Sequence, residues 1–169
     1  MKFTLNWLKE HLETNATIDE IAEKLTALGL EVESITDKSK ELSAFRIAQI
    51  VDAQPHPDAD RLRVCRVNTG TEELQIVCGA PNARAGINVV LAPVGAIIPN
   101  GGFKIKASKI RGVDSNGMLC SAAELGLGED SGGIIEMPAS NDNLAKNFAE
   151  VAGLSYPVIE IAITPNRGD

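Results

Sequence analysis

Leu62-Arg63-Val64-Cys65-Arg66-Val67-Asn68, then Thr69-Gly70-Thr71, then Leu74-Gln75-Ile76-Val77-Cys78 reads as a strand, a tight turn and a returning strand. Apolar and polar residues alternate until Val64-Cys65, where two apolar side chains fall side by side. A slip of that kind is what a β-bulge produces, and small barrels use bulges to bend a strand round a corner. The same grammar runs outward in both directions. Upstream, residues 44–53 are β-like and close on Gln54-Pro55-His56-Pro57; downstream, residues 88–94 are an apolar run and Asn100-Gly101-Gly102 marks a turn. Phe103, Ile105 and Ala107 then alternate with Lys104, Lys106 and Ser108, which predicts another strand, and Asn116-Gly117 precedes Met118-Leu119-Cys120.

About five short strands in roughly 80 residues, with no long helix between them, predict an antiparallel barrel or sandwich. The spacing fits a five-stranded OB-type Greek-key barrel, although periodicity alone does not separate it from an SH3-like one. On either side the pattern turns helical. Thr17-Ile18-Asp19-Glu20 fits a capping box, Ile21, Leu25 and Leu28 recur at helical spacing, and Gly29 supplies the stop. Trp7, Leu8 and Leu12 mark a shorter helix, residues 30–35 look extended, and residues 36–41 read as a linker. Beyond the strands, Ser121-Ala122-Ala123-Glu124 predicts a short helix ended by Gly126. Leu144, Phe148, Val151 and Ala152 share a second helical face, and residues 158–164 alternate as a strand. A β-like run followed at once by Pro165-Asn166-Arg167-Gly168-Asp169 reads as a piece of a longer chain.

Aromatic residues make up only 4% of the 169, so the core must come from Val, Ile, Leu and Ala. Cys65, Cys78 and Cys120 lie far apart and odd in number, the pattern of reduced, buried thiols in a cytoplasmic protein. No stretch has the length of a signal-peptide core or a membrane span. The net charge of −7 is unevenly spread: residues 43–119 hold nine basic and six acidic side chains, while both flanks are acidic. Within that basic island Arg61 and Arg63 border the second strand, Lys104 and Lys106 project from the outer face of another, and Lys109 and Arg111 follow. On one strand pair they would converge as a phosphate-binding face. The strand region offers only Phe45 and Phe103 for stacking, and Phe103 shares a phase with Ile105, which assigns it to the core. Recognition of RNA by shape and backbone is then the expectation.

His56, Asp58 and Asp60 are the densest group of metal-type ligands, but they sit in one proline-stiffened segment, and a catalytic site draws on several elements. The expected role is a turn in which Asp58 or Asp60 caps backbone amides, with no metal. Ser121 reads as an N-cap, and no phosphate-binding loop, dinucleotide fingerprint or catalytic triad appears, so no catalytic residue is assigned.

At His56-Pro57-Asp58-Ala59-Asp60-Arg61-Leu62, Cys78-Gly79-Ala80-Pro81-Asn82, Arg111-Gly112-Val113 and Ser115-Asn116-Gly117-Met118-Leu119-Cys120-Ser121 the chain resembles the tRNA-binding OB domain of several aminoacyl-tRNA synthetases and associated factors. With Asn6-Trp7-Leu8, Leu28-Gly29-Leu30-Glu31-Val32-Glu33 and Thr164-Pro165-Asn166-Arg167-Gly168-Asp169, it resembles the N-terminal region of bacterial phenylalanyl-tRNA synthetase β subunits. That resemblance implies an OB domain of residues 39–149 inserted into a small α+β domain formed by residues 1–38 and 150–169. It implies tRNA specific for phenylalanine and a synthetase α subunit in an α2β2 assembly as partners. It also implies ATP and magnesium for the full ligase, with no cofactor in this segment. Carried onto matched motifs or beside them, it implies tRNA contact by Arg61, Arg63, Lys104, Lys106, Lys109, Arg111, Ser115, Asn116 and Met118. The competing readings are a purely structural assembly element, a free-standing tRNA-binding factor, and a metal-dependent hydrolase built on His56, Asp58 and Asp60. Pairing of residues 30–35 with 158–164 in one sheet would exclude the free-standing factor.

Overall fold

In chain order the computed structural model, which describes residues 1–163, forms β1 (Lys2–Thr4), α1 (Leu5–His11), α2 (Ile18–Ala27), β2 (Val32–Thr36), α3 (Lys38–Glu41), β3 (Arg46–His56), β4 (Ala59–Asn68), β5 (Glu73–Cys78), β6 (Asn88–Ala92), β7 (Ser108–Ile110), β8 (Val113–Ser115), β9 (Met118–Leu119), β10 (Glu136–Met137), α4 (Phe148–Val151) and β11 (Val158–Ile161). Thr164 and residues 165–169, read above as a strand end and a turn, lie outside the described residues. The chain divides into two compact units, residues 1–40 with 152–169, and residues 41–151. Strands dominate, and every pairing is antiparallel. Among the described residues no helix is long and apolar enough to cross a membrane.

In the first unit Thr17 Oγ1 accepts from the Glu20 amide at 3.3 Å, and Glu20 Oε2 accepts from the Thr17 amide at 2.7 Å. This closes the capping box of α2, and the bonds from Thr17 hold the Glu20 carboxyl below its usual range. At the other end Gly29, at φ +85°, lets Leu30 N reach Leu25 O and Gly29 N reach Thr26 O, both at 2.9 Å. These are the two bonds of a Schellman stop. The helix buries Ile21 with Ile159 and Ile161 of β11. That strand is the middle of a three-stranded sheet, with β1 on one side and β2 on the other. Ile159 lies opposite both Phe3 and Ile35, so residues 30–35 and the run after 158 do pair. Residues 36–41 are a linker with one helical turn, α3.

The second unit is a sheet in the order β10-β6-β3-β4-β5, with β9 also on β6. β3 is long enough to serve two neighbours: residues 46–49 pair with β6 and residues 49–56 with β4. The register slips between Ile50 and Asp52, so the irregularity that bends the sheet sits at Val51. It does not sit at Val64-Cys65, since β4 pairs with β5 without a break from Arg63 to Asn68. There Cys65 is buried and Val64 packs less deeply on the opposite face, an apolar residue on the outer side rather than an inserted one. The core gathers Ala48, Ile50, Cys65, Val67, Ile76, Cys78, Val89, Leu91 and Leu119. β6 is buried along its whole length.

β5 and β6 are not paired with each other, and the chain from 114 to 120 bridges them. Gln75 Nε2 donates to Asp114 O at 2.9 Å, Asn116 N to Gln75 O at 2.9 Å, and Val77 N to Ser115 Oγ at 3.1 Å. On the other side Met118 and Leu119 pair with Ala92 and Leu91, and Cys120 N donates to Val90 O at 3.0 Å. Gly117 is the crossing point, at φ +148°.

Three predicted elements are corrected. Residues 103–107 do not form a ladder strand; Lys104 makes one bridge to Ile97, and only Ile105 of the alternating set is buried. Residues 121–126 form turns rather than a helix, although Ser121 and Glu124 make the capping bonds, with Ser121 N to Glu124 Oε2 at 2.6 Å. A single turn leaves too few helical bonds to offset nucleation. The second helical face begins only at Phe148, because Ala145 adopts φ +66° and interrupts the run from Leu144.

A Cβ on Gly117 would stand 3.1 Å from Ala92 O and 3.2 Å from Leu91 Cδ1. Gly117→Ala is expected to lower stability by about 2 kcal/mol or more, from crowding and backbone strain together. A urea titration followed by circular dichroism checks this, and an unchanged midpoint would refute the bridging role.

Candidate functional site

A groove of about 570 Å³ runs along the bridged side of the second unit. It is lined by Val77 to Pro81 at the end of β5, by Phe103 to Lys106 with Ser108 and Ile110, and by Gly117, Met118 and Leu119. The first stretch is held by its own motif. Cys78 is buried, with its Sγ 3.5 Å from the Ala80 amide that donates to it. Asn82 clamps the far end: Oδ1 accepts from Ile134 N at 3.0 Å, and Nδ2 donates to Ile134 O at 2.8 Å and to Glu136 Oε1 at 3.1 Å. Gly133 is needed there, because a Cβ would stand 2.7 Å from Asn82 Oδ1. Arg84 completes the clamp with two 2.8 Å bonds to the Glu136 carboxylate. The guanidinium, and then Asn82, hold that carboxyl below its usual range.

Of the nine residues expected to touch RNA, Lys104, Lys106, Ser115 and Met118 line this groove. Arg63 stands directly opposite Cys78 in the β4–β5 register, and Cys78 lines the groove. Arg61 is exposed two residues earlier on the same strand. Lys109 and Arg111 belong to the β7–β8 hairpin, in which Ile110 pairs with Val113 around Arg111-Gly112. Both loop residues have positive φ, +47° and +85°, as a two-residue hairpin turn demands. Arginine holds the first position without glycine's freedom, and its Nη1 donates to Asp58 O at 3.5 Å. Asn116 takes part through its backbone in the bond to Gln75.

Ser115 is 3% exposed, and its hydroxyl is spent inside the fold, accepting from Val77 N and donating to Gly117 O at 3.3 Å. His56 is buried as well. Its Nδ1 accepts from Asp58 N at 3.0 Å, so the proton sits on Nε2, which donates to Ile110 O at 3.0 Å. The imidazole, not Asp58 or Asp60 as expected, satisfies the turn, and it ties that turn to the β7–β8 hairpin. With both nitrogens engaged, His56 offers no lone pair to a metal, and among the described residues no group of three or more candidate ligands converges.

Two lysines, Lys104 and Lys106, and one carboxylate, Glu124, line the groove. Lys109 pairs with Asp114 at 3.8 Å, Arg66 with Glu73 and Arg84 with Glu136. Among the described residues Arg61, Arg63, Lys104 and Lys106 have no ion-pair partner. Ser121 N and Oγ donate to the Glu124 carboxylate at 2.6 and 2.9 Å. The three cysteines are free and buried. Burial pushes Cys65 up to about 11 and Cys120 up to about 12, and raises Cys78, so none is a ready nucleophile.

The sequence reading missed two features. Phe103 is 49% exposed and lines the groove rather than the core. Its phase with Ile105 was misleading because the segment is not a strand. The Asn82–Arg84–Glu136 clamp joins residues more than fifty positions apart, and no local signal announces it.

Residues 45–144 match the family model described as "Putative tRNA binding domain". The whole chain is 57% identical to the phenylalanine–tRNA ligase beta subunit of Rhodospirillum rubrum over 169 residues, which is 21% of that protein. It is 57% identical to the subunit of the same name from Rickettsia bellii over 169 residues, 19% of that protein, and 53% identical to that from Gluconobacter oxydans over 171 residues, 21% of it. The chain thus spans about a fifth of the length of the curated relatives it matches.

Three outcomes are expected. Ser115→Ala should cost about 1–3 kcal/mol in a urea titration, by leaving the Val77 amide unpaired. Iodoacetamide at pH 8 should label the thiols slowly in the folded chain and fast in denaturant, read by mass spectrometry. Raised thiol values also mean that stability is fully present below about pH 9 and is lost as pH climbs towards 11–12.

Proposed function

The chain belongs to the tRNA-binding-domain family, and from that premise we propose that its second unit is the tRNA-binding module of a phenylalanine–tRNA ligase beta subunit. The observation that carries the reading is a set of cations without an ion-pair partner among the described residues: Lys104 and Lys106 line the groove, Arg63 stands opposite its lining residue Cys78, and Arg61 lies two residues earlier on that strand. Cations without acidic partners are free to exchange counterions for RNA phosphates. Lys109, Arg111, Asn116 and Met118 extend the contact surface. Ser115 contributes by shaping the groove floor. In the full protein the module raises the local concentration of phenylalanine-specific tRNA for a synthetase α subunit, in an α2β2 assembly that charges the tRNA in the cytoplasm. ATP and magnesium act elsewhere in that assembly; this segment is non-catalytic.

The architecture we infer is an OB-type Greek-key barrel spanning residues 39–149, made of β3, β4, β5, β6 and the bridging run through β8 and β9. It is inserted into a small α+β domain of residues 1–38 and 150–169. The bonds from residues 114–120 to both β5 and β6 support closure. The pairing of β2 with β11 supports insertion and argues against a free-standing factor. A second reading, an assembly element, draws on Trp7 and Leu12, which are half exposed in the first unit.

The test is tRNA binding across a salt series. The chain should bind with an affinity that falls steeply with salt. Changing Arg61, Arg63, Lys104 and Lys106 to Ala should reduce the slope of log K against log salt by about 2–4. Changing Lys109, already paired to Asp114, should matter less. Binding that is absent at low salt, or indifferent to salt, would leave the assembly reading in its place.

A further inference from the structure

Phe103 is an aromatic ring held half in solvent, and the structure holds it there firmly. Gly101 and Gly102, at φ +115° and +67°, turn the chain beneath it. A Cβ on Gly101 would come within 3.2 Å of ring Cδ1 and 3.3 Å of Cε1, so the ring lies directly against that glycine. The loop is pinned on both sides: Ile98 N donates to Phe103 O and Gly102 N to Ile98 O, both at 3.0 Å. Asn100 ties it across to residues 123 and 124, its N to Glu124 O at 3.0 Å and its Nδ2 to Ala123 O at 2.9 Å. The ring lines the groove with Lys104, Lys106 and Met118.

We propose that Phe103 is a stacking platform for one unpaired base of the bound RNA, with Lys104 and Lys106 taking the phosphates on either side. This rests on the groove being an RNA site and adds what part of the RNA enters it: a nucleotide free of base pairing, in a loop or at a single-stranded end, rather than a duplex. A base presents a flat face of about the ring's own size, and stacking covers the exposed ring without asking for any particular base. Because the loop that carries the ring is already hydrogen-bonded in place, little backbone ordering entropy is lost on contact. A protein partner fits less well. The core of a protein interface is depleted in lysine, whereas here two unpaired lysines follow the ring in the same stretch.

The experiment compares binding of a short unstructured oligoribonucleotide carrying 2-aminopurine with binding of a blunt RNA duplex, at low salt. It uses the 169-residue chain and its Phe103→Leu, Phe103→Trp and Lys104→Ala/Lys106→Ala variants, with circular dichroism as the check on folding. Phe103→Leu should lose about tenfold in affinity for the single strand, keep its salt slope, leave duplex affinity unchanged and abolish 2-aminopurine quenching. Phe103→Trp should retain both affinity and quenching. The double lysine variant should lose salt slope on both RNAs. If Phe103→Leu binds the single strand as the parent does, or weakens both RNAs equally, stacking is refuted while the groove reading survives. If neither RNA binds the parent chain, both readings fail.

Discussion

A sheet that bends back on itself leaves backbone groups of β5 and β6 that the ladder does not pair, and here a run of seven residues bonds to both strands. The run from Asp114 to Cys120 gives hydrogen bonds to β5 at one end and to β6 at the other. Buried amides without partners would cost more than the bonds gain, so this bridge is a requirement of the core and not an accessory to it. Gly117 can make the crossing because it carries no side chain where Ala92, Leu91 and Ile76 converge. Ser115 serves because one hydroxyl both accepts and donates. The groove is lined in part by this run, through Ser115, Gly117, Met118 and Leu119.

Seen this way, the sequence motifs that look like ligand contacts are largely architecture. Cys78 fills core volume, Asn82 clamps the segment that carries Ile134, and His56 joins the turn after β3 to the β7–β8 hairpin. Each is a short polar or sulfur side chain that does for backbone what a regular ladder cannot do in an irregular stretch. Among the described residues Arg61, Arg63, Lys104 and Lys106 are left without an ion-pair partner, and Phe103 is left half exposed. Lys104, Lys106 and Phe103 lie outside those motifs, on a groove that residues of the motifs also line.

The charge balance follows the same division. A chain of net charge −7 is a poor match for a polyanion as a whole, yet local potential decides an encounter within a Debye length of about 8–10 Å. Near the groove Glu136 is paired by Arg84 and Asp114 by Lys109, while Glu124 is hydrogen-bonded by Ser121 and keeps its charge. The basic side chains are not matched in the same way. The groove itself is lined by two lysines, Lys104 and Lys106, and one carboxylate, Glu124.

Much of this was legible in the residues. The capping box at Thr17, the Gly29 stop, the strand runs and the basic island each depend on neighbours a few positions apart, and local chemistry fixes them. The ordered motifs from His56 to Ser121 carried the family resemblance for the same reason. Tertiary structure decided what depends on distant partners. The bulge went to Val51 rather than Val64, because β3 must leave β4 to pair with β6. Phe103 turned outward because its segment is tied to residues 95–98 and not to a sheet that would bury alternate positions. The segment after Ser121 stayed a turn because its capping bonds are followed by a single turn, too short to offset helix nucleation. Local sequence determines which residues can bend, cap or alternate; only the packed fold determines which side of a bend is covered, and so which side chains remain free to bind.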